Sequence, residues 1–302
     1  MPIGARVPVA STPAVPLPWG LWTVVVPVEE AKPNWRNGVT VQPDPCERAR
    51  TTIDFPTPEP KQVTSTLPLV GYNAVTVYAE VDMGPVGRGQ NWEADVQARA
   101  AAALTMGEAR ALERVFWNGD IDDSTEVLWP HLAADAAVLD GDVVLQPAAV
   151  VPNASVLDVV EAVGVLEEAI GACYGGVPVL HIPRSALVHL DSFGIVKPSG
   201  GKLQTLSGSL VNAGAGNQHN GPTGAIPAYP NAWFYATGQL TGRRSAIEYP
   251  SNTRDALDLA RNELVYIAER TYVVGWDCCL FAVQVSLGGR ATGKPSDPGP
   301  LP

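Results

Sequence analysis

The chain has 302 residues, 46% of them hydrophobic, and so can bury a large core in one elaborate domain or two ordinary ones. Only 17% are charged, while 28 prolines and 29 glycines exceed average usage, which puts much of the backbone into turns and extended arms. A net charge of −11 without any cluster of Lys and Arg excludes nucleic-acid binding through a basic face.

The first segment, "MPIGARVPVASTPAVPLPWG", has prolines that interrupt any signal-peptide core, and the "LWTVVVPV" that follows is too short to span a bilayer. The expectation is a soluble, unsecreted protein with no membrane partner. Residues 1 to about 70 read as an extended arm and loop, with β-prone pieces at "LWTVVVPV" and "GVTVQP" and turn clusters such as "DFPTPEPK". Over 72–82, Val75, Val77, Ala79 and Val81 alternate with Thr76, Tyr78 and Glu80, the pattern of a strand with one buried face.

From Asn91 the period changes. Trp92, Val96, Ala100 and Leu104 recur every four residues, Asn91 can cap, and Glu93 and Asp95 suit the first turn of a helix. Thr105 and Glu108 make a T-x-x-E capping box around Gly107, so the helix is expected to kink or restart there, with Leu112, Val115 and Phe116 as a second stripe. Another helix is expected over 155–173, turning Val156, Val159, Val163, Leu166 and Ile170 inward and ending at Gly175 and Gly176. "VPVLHIP" reads as a buried strand, "RSALVHLDSF" as a short helix and 199–231 as a long loop. "AWFYATGQLTGRRSAIEY", "ELVYIAERTYVV" and "CLFAVQVSL" read as strands. Within the second of these Tyr266, Ala268, Arg270, Tyr272 and Val274 share one face and Glu269 lies on the other, so Glu269 and Arg270 need partners elsewhere. The tail "GGRATGKPSDPGPLP" cannot form a core.

The chemical constellations fail one by one. Cys46, Cys173, Cys278 and Cys279 show no CxxC and no His at zinc-ligand spacing. On a strand Cys278 and Cys279 would point to opposite faces, so they read as two small half-buried thiols, and a reducing compartment fits them best. Gly288, Gly293 and Lys294 approximate a phosphate loop, but Pro295 replaces its Ser or Thr and no helix can follow. "GAGNQHNGPTG" lacks dinucleotide-binding spacing. Ser185, His189 and Asp191 lie in one short helix, whereas a hydrolase triad is gathered from separate elements. His131, His181, His189 and His219 share no ligand spacing, and His181 reads as a satisfied core residue rather than a base. Asp120, Asp122, Asp123 and Glu126 form an acidic cluster that lacks calcium-loop spacing and reads as a solvated loop. No catalytic, cofactor-binding or metal-binding residue is nominated, no cofactor is expected, and the chain is expected not to be an enzyme.

Four stretches, "ARAAAALTMGEARALERVFWNGD", "VPVLHIPRSAL", "WFYATGQLTGRRS" and "VYIAERTYVVGWDCC", taken in this order over roughly 70–287, resemble segments of actinobacteriophage capsid subunits. The order of elements is similar to that of the tailed-phage major capsid protein, the Hong Kong 97 type fold that encapsulin shells also use. The resemblance implies an α+β capsid fold. Its parts would be an N-terminal arm at 1–50, an extended β loop at 51–82, a peripheral domain with a long helix at 83–152 and 246–287, an axial domain at 153–245, and a C-terminal tail at 288–302. It also implies a structural protein that self-assembles into the icosahedral head of a tailed double-stranded DNA bacteriophage, located in the virion and assembled in the host bacterial cytoplasm. The implied partners are copies of itself in hexamers and pentamers, a portal protein, a decoration protein, and a separate scaffolding protein because only an arm precedes the body. DNA would be enclosed without sequence-specific binding. Lys61 is the sole lysine of the supposed loop for a covalent subunit cross-link, and no Asn partner is nominated. Other readings are an encapsulin-like compartment, an α/β small-molecule enzyme, and a tail-associated adhesive protein.

Overall fold

The computed structural model describes residues 15–28, 34–41, 70–83, 92–122, 130–135, 137–140, 143–145, 156–222, 224, 226–250, 257–258 and 263–288. The features expected at Cys46, Lys61, Asn91, Asp123, Glu126, Gly293 and Lys294 lie outside the described residues.

The four-residue apolar spacing after 91 produces α1 (Trp92–Asn118), a continuous helix of 27 residues. Val96, Ala100, Leu104, Leu112 and Phe116 are buried along it, and such a packed stripe supplies most of a helix's stability. The restart expected at Thr105 does not occur. Its hydroxyl donates instead to the Ala101 carbonyl oxygen one turn back (2.8 Å), and the helix runs on through Gly107.

The alternation over 75–81 becomes β4 (Val75–Met83), with Val77 buried and Thr76, Tyr78 and Glu80 exposed. It pairs antiparallel with β14 (Glu263–Trp276), from Leu264 opposite Met83 to Tyr272 opposite Val75. β14 also carries β12 (Leu240–Arg244) and β13 (Leu257–Asp258), and β12 takes β1 (Val26–Pro27) in parallel, completing a five-stranded sheet. α1 lies on β4 and β14. A separate ribbon joins β2 (Val39–Val41) to β3 (Val70–Tyr72).

The larger sheet has eight strands in the order β6 (Val143–Leu145), β5 (Ala137–Asp140), β15 (Leu280–Ser286), β11 (Asn231–Thr237), β7 (Val179–His181), β10 (Leu210–Asn212), β9 (Lys202–Thr205) and β8 (Val196–Ser199). Its central strands are buried on both faces. Trp233, Tyr235, Leu280 and Ala282 join the core under α1, while Ala232, Phe234, Ala236, Val283 and Val285 join a second core. Double burial explains why "AWFYA" is an unbroken apolar run without alternation.

The second core is covered by α3 (Val159–Tyr174) and α4 (Ala186–Ser192); a short α2 (Leu132–Asp135) packs near α1. α3 starts later than expected because Asp158 caps it, its carboxylate accepting the Val160 and Glu161 N–H groups at 2.8 Å. Val156 therefore lies outside the helix and is 45% exposed, whereas Val159, Val163, Leu166 and Ile170 are buried. Gly175 ends the helix at φ +80°.

Two further expectations need correction. The loop expected over 199–231 holds only from 213 on, where no helix or strand is described before β11: β9 and β10 run through its first part, and their shortness, with turns at Gly200, Gly201 and Gly208 in positive φ, leaves no period to read. The strand through Arg270 ends at Trp276, so Cys278 and Cys279 occupy the turn before β15, with Cys278 at φ +64°. Chain order does not by itself sort the strands into the two sheets. β12 joins the smaller sheet and β15 is central to the larger one. The cause is a double crossing: the β11–β12 and β14–β15 turns pass between the sheets side by side, with Gly238 N–H on the Cys279 carbonyl oxygen (3.1 Å) and Asp277 N–H on that of Gln239 (3.0 Å).

Candidate functional site

α1 turns two carboxylates toward the core, Glu108 and Glu113, the latter 1% exposed. An unpartnered carboxylate there would be strongly destabilising, and both are engaged. Glu113 Oε1 accepts the Leu21 N–H (2.9 Å) and its Oε2 the Gly216 N–H (2.8 Å). A Cβ at Gly214 would collide with this carboxylate, and one at Gly216 with the Arg110 carbonyl oxygen, so the close approach requires glycine. One side chain thereby joins α1, the N-terminal segment and the segment after β10. Burial raises the Glu113 pKa, opposed by the Gly216 and Leu21 N–H groups and the Arg184 guanidinium. Arg184 reinforces the junction, donating to the carbonyl oxygens of Pro18 (2.7 Å) and Ala213 (3.1 Å) and stacking 5.5 Å from the Trp19 ring.

A second junction lies one turn and a half earlier on α1. Arg270 Nη1 donates to both oxygens of Glu108, at 2.8 and 2.9 Å, which supplies the partner that the strand pattern required. Glu269, on the other face, bonds through its backbone to Glu248. The N-terminal segment is laid across the same sheet: Trp22 meets Tyr272 edge-on, Arg244 lies over Trp22, and Arg243 lies over Trp35. Arg36 pairs with Glu248. A groove of about 540 Å³ lined by Trp35, Val39, Val41, Arg243 and Val273 runs alongside.

His181 is fully buried on β7. Asn212 Nδ2 faces its Nδ1 (3.2 Å), its Nε2 faces Thr237 Oγ1 (3.0 Å), and the Thr237 hydroxyl donates to the Gly238 carbonyl oxygen (3.0 Å). That order of donors requires the neutral ring with its proton on Nε2. Burial lowers its pKa to about 3, so it sits in the core as an uncharged bridge.

The residues weighed in the sequence are brought together differently. Ser185 Oγ bonds His219 Nε2 (2.9 Å) rather than a neighbour on its own helix, and burial lowers the His219 pKa. Asp122 pairs with Arg114, and Asp120 accepts from Asn118 Nδ2 (3.3 Å), which ties both to the end of α1. Cys173 is bonded to Cys279 across 106 residues of chain, and no described cysteine is a free thiol, so the reading of two isolated thiols is corrected. Turn geometry, not strand alternation, brings Cys279 to the end of α3. Among the described residues no group of three His, Cys, Asp or Glu could hold a metal, and no helix is long and apolar enough to cross a membrane. Sequence reasoning missed Glu108 and Glu113. The signal was present for Glu108, which falls midway between Leu104 and Leu112 on the apolar stripe. Glu113 fastens the N-terminal segment and the segment after β10 to α1, Glu108 ties α1 to β14, and the neutral His181 ring bridges β10 and β11.

No family model matches the chain, and no characterised protein matches it in sequence. Solved structures match it in shape. The capsid of a native GTA particle aligns over 94% of this chain and 96% of its own, with 13% identity and a TM-score of 0.54. That of the empty GTA particle aligns over 94% and 95%, with 14% identity and a TM-score of 0.51. The capsid of Ralstonia phage GP4 aligns over 99% and 98%, with 11% identity and a TM-score of 0.49. Nearly the whole length of this chain retraces nearly the whole length of the GTA capsid chains, and the protein has their α+β capsid fold, the Hong Kong 97 type.

Proposed function

We propose that this chain is the major capsid protein of a tailed double-stranded DNA bacteriophage, many copies of which assemble into an icosahedral head. The observation that carries the reading is the shared fold along almost the full length of a capsid subunit. Further support comes from the surface. Val177, Val188, Phe193, Leu206, Ile226 and Tyr229 are each more than half exposed, apolar area that neighbouring copies would cover. The net charge of −11 suits a wall that encloses DNA without gripping it. In this reading 1–50 is the arm, 51–82 the loop reaching a neighbour, 153–245 the axial domain, and 83–152 with 246–287 the peripheral domain. Copies group as hexamers and pentamers, with a portal and a separate scaffolding protein as partners, and a decoration protein as a further one. Assembly takes place in the host bacterial cytoplasm, and the chain serves a structural role rather than an enzymatic one.

Electron microscopy of the concentrated protein, with sedimentation velocity on the same sample, tests the reading. Closed particles or capsomer rings are expected, with or without co-expressed neighbouring genes. A compact monomer under both conditions refutes it. Particles enclosing enzymes instead of DNA in the native source would point to a cargo compartment.

A further inference from the structure

Cys173 lies on α3, which is held to the larger sheet by apolar packing and by the Thr205, Ser207 and Ser209 hydroxyls that donate to Glu167. α3 rests on β15 and β11, burying Val163, Leu166 and Ile170 against Phe234, Val283 and Val285. Cys173 sits in the last turn of α3, half-buried at the rim of this core. Cys279, 7% exposed, lies where the chain passes between the two sheets. Its backbone is fixed there by the Gly238 N–H, and a Cβ at Gly238 would strike the Asp277 carbonyl oxygen. The two Cα atoms are 6.6 Å apart, inside the disulfide range of about 4.4–6.8 Å. The pair can therefore be bridged where the fold places it.

We propose that Cys173 and Cys279 form a redox-switched staple that locks the C-terminal end of α3 to the point where the chain crosses between the sheets. Closing it removes two protons and two electrons, which a small-molecule disulfide such as oxidised glutathione accepts. The more accessible Cys173 thiolate attacks one sulfur of that disulfide and releases one thiol. The Cys279 thiolate then attacks the Cys173 sulfur of the mixed disulfide and releases the second. Excess thiol reductant reverses both steps. In a reducing interior α3 is held by apolar contact and by the hydroxyls donating to Glu167; in an oxidising medium its end is covalently fixed as well. The staple follows from the contact geometry and stands whether or not the chain builds a shell.

The test compares full-length wild type, equilibrated with reduced or oxidised glutathione, by alkylation with intact mass, peptide mapping of the linked pair, and thermal melting. The oxidised protein is expected to yield a Cys173–Cys279 linked peptide and to melt at least about 5 °C higher, a shift that reductant abolishes, since closing a loop of this length is strongly stabilising. C173S and C279S each lose the linked peptide and lower the melting temperature of the oxidised protein. Fully alkylated thiols in folded, oxidant-treated wild type overturn the proposal. So does a bond from Cys173 to Cys278 in place of Cys279, or a melting temperature that ignores the redox state. The wild-type comparison stands even if a serine variant fails to fold.

Discussion

Replacing Glu113 with alanine should loosen the N-terminal segment and the loop after β10 together, because one carboxylate serves both. Truncation strands two N–H groups, those of Leu21 and Gly216, in a site where the side chain is 1% exposed. Each buried donor left unsatisfied costs about 1–3 kcal/mol. Part of this is offset, since burial of the carboxylate is itself unfavourable and raises its pKa; a net loss of about 2–4 kcal/mol is expected. Urea unfolding reads it as a lower midpoint with an unchanged slope. The Glu113→Gln variant adds a test of sign. A carboxyl whose pKa is raised on folding contributes stability that is complete below its unfolded value of 4.5 and is lost as pH rises through the folded value. The glutamine has no such dependence, so its deficit relative to wild type should be larger at about pH 4 than at about pH 7. A Glu113→Ala loss within about 0.5 kcal/mol, or a glutamine deficit that grows with pH, would refute the clamp.

The Glu108–Arg270 pair should behave as a buried ion pair. Glu108→Ala alone leaves the guanidinium, with its side chain 14% exposed, without its carboxylate and should cost about 3–5 kcal/mol; Glu108→Leu with Arg270→Met should recover most of that, by urea unfolding. His181 binds its proton more readily unfolded, at 6.5, than folded, at about 3. Its stabilising contribution is therefore complete above pH 6.5 and lost as pH falls toward 3, at up to about 1.4 kcal/mol per pH unit. A folded His181→Gln variant should show a flatter acid limb in thermal melts. Leu166→Ala should cost about 2–5 kcal/mol, since Leu166 is completely buried beneath α3, and should raise hydrogen exchange along that helix. Gly216→Ala should destabilise sharply, because its Cβ would meet the Arg110 backbone.

Local pattern was sufficient for the elements whose burial is one-sided. The four-residue stripe of α1, the alternation of β4 and the inward valines of α3 each put their apolar residues on a single face, and period alone reveals such a face. The order of these elements also carried the capsid resemblance. Where an element is buried on both faces, or where the chain changes sheets, sequence has nothing periodic to offer. β11 reads as apolar throughout because α3 covers one side and the α1 core the other. Thr105 could begin a helix or bond back into one, and continuous packing along α1 settled it. Nothing local marks Glu113; only folding brings Leu21 and Gly216, about a hundred residues away on either side, to its two oxygens. The cysteines show the same division. Residue spacing could place Cys278 and Cys279 in a β-leaning run, but only the crossing of two turns between sheets could set Cys279 beside Cys173, since contact across 106 residues is a property of topology rather than of local sequence.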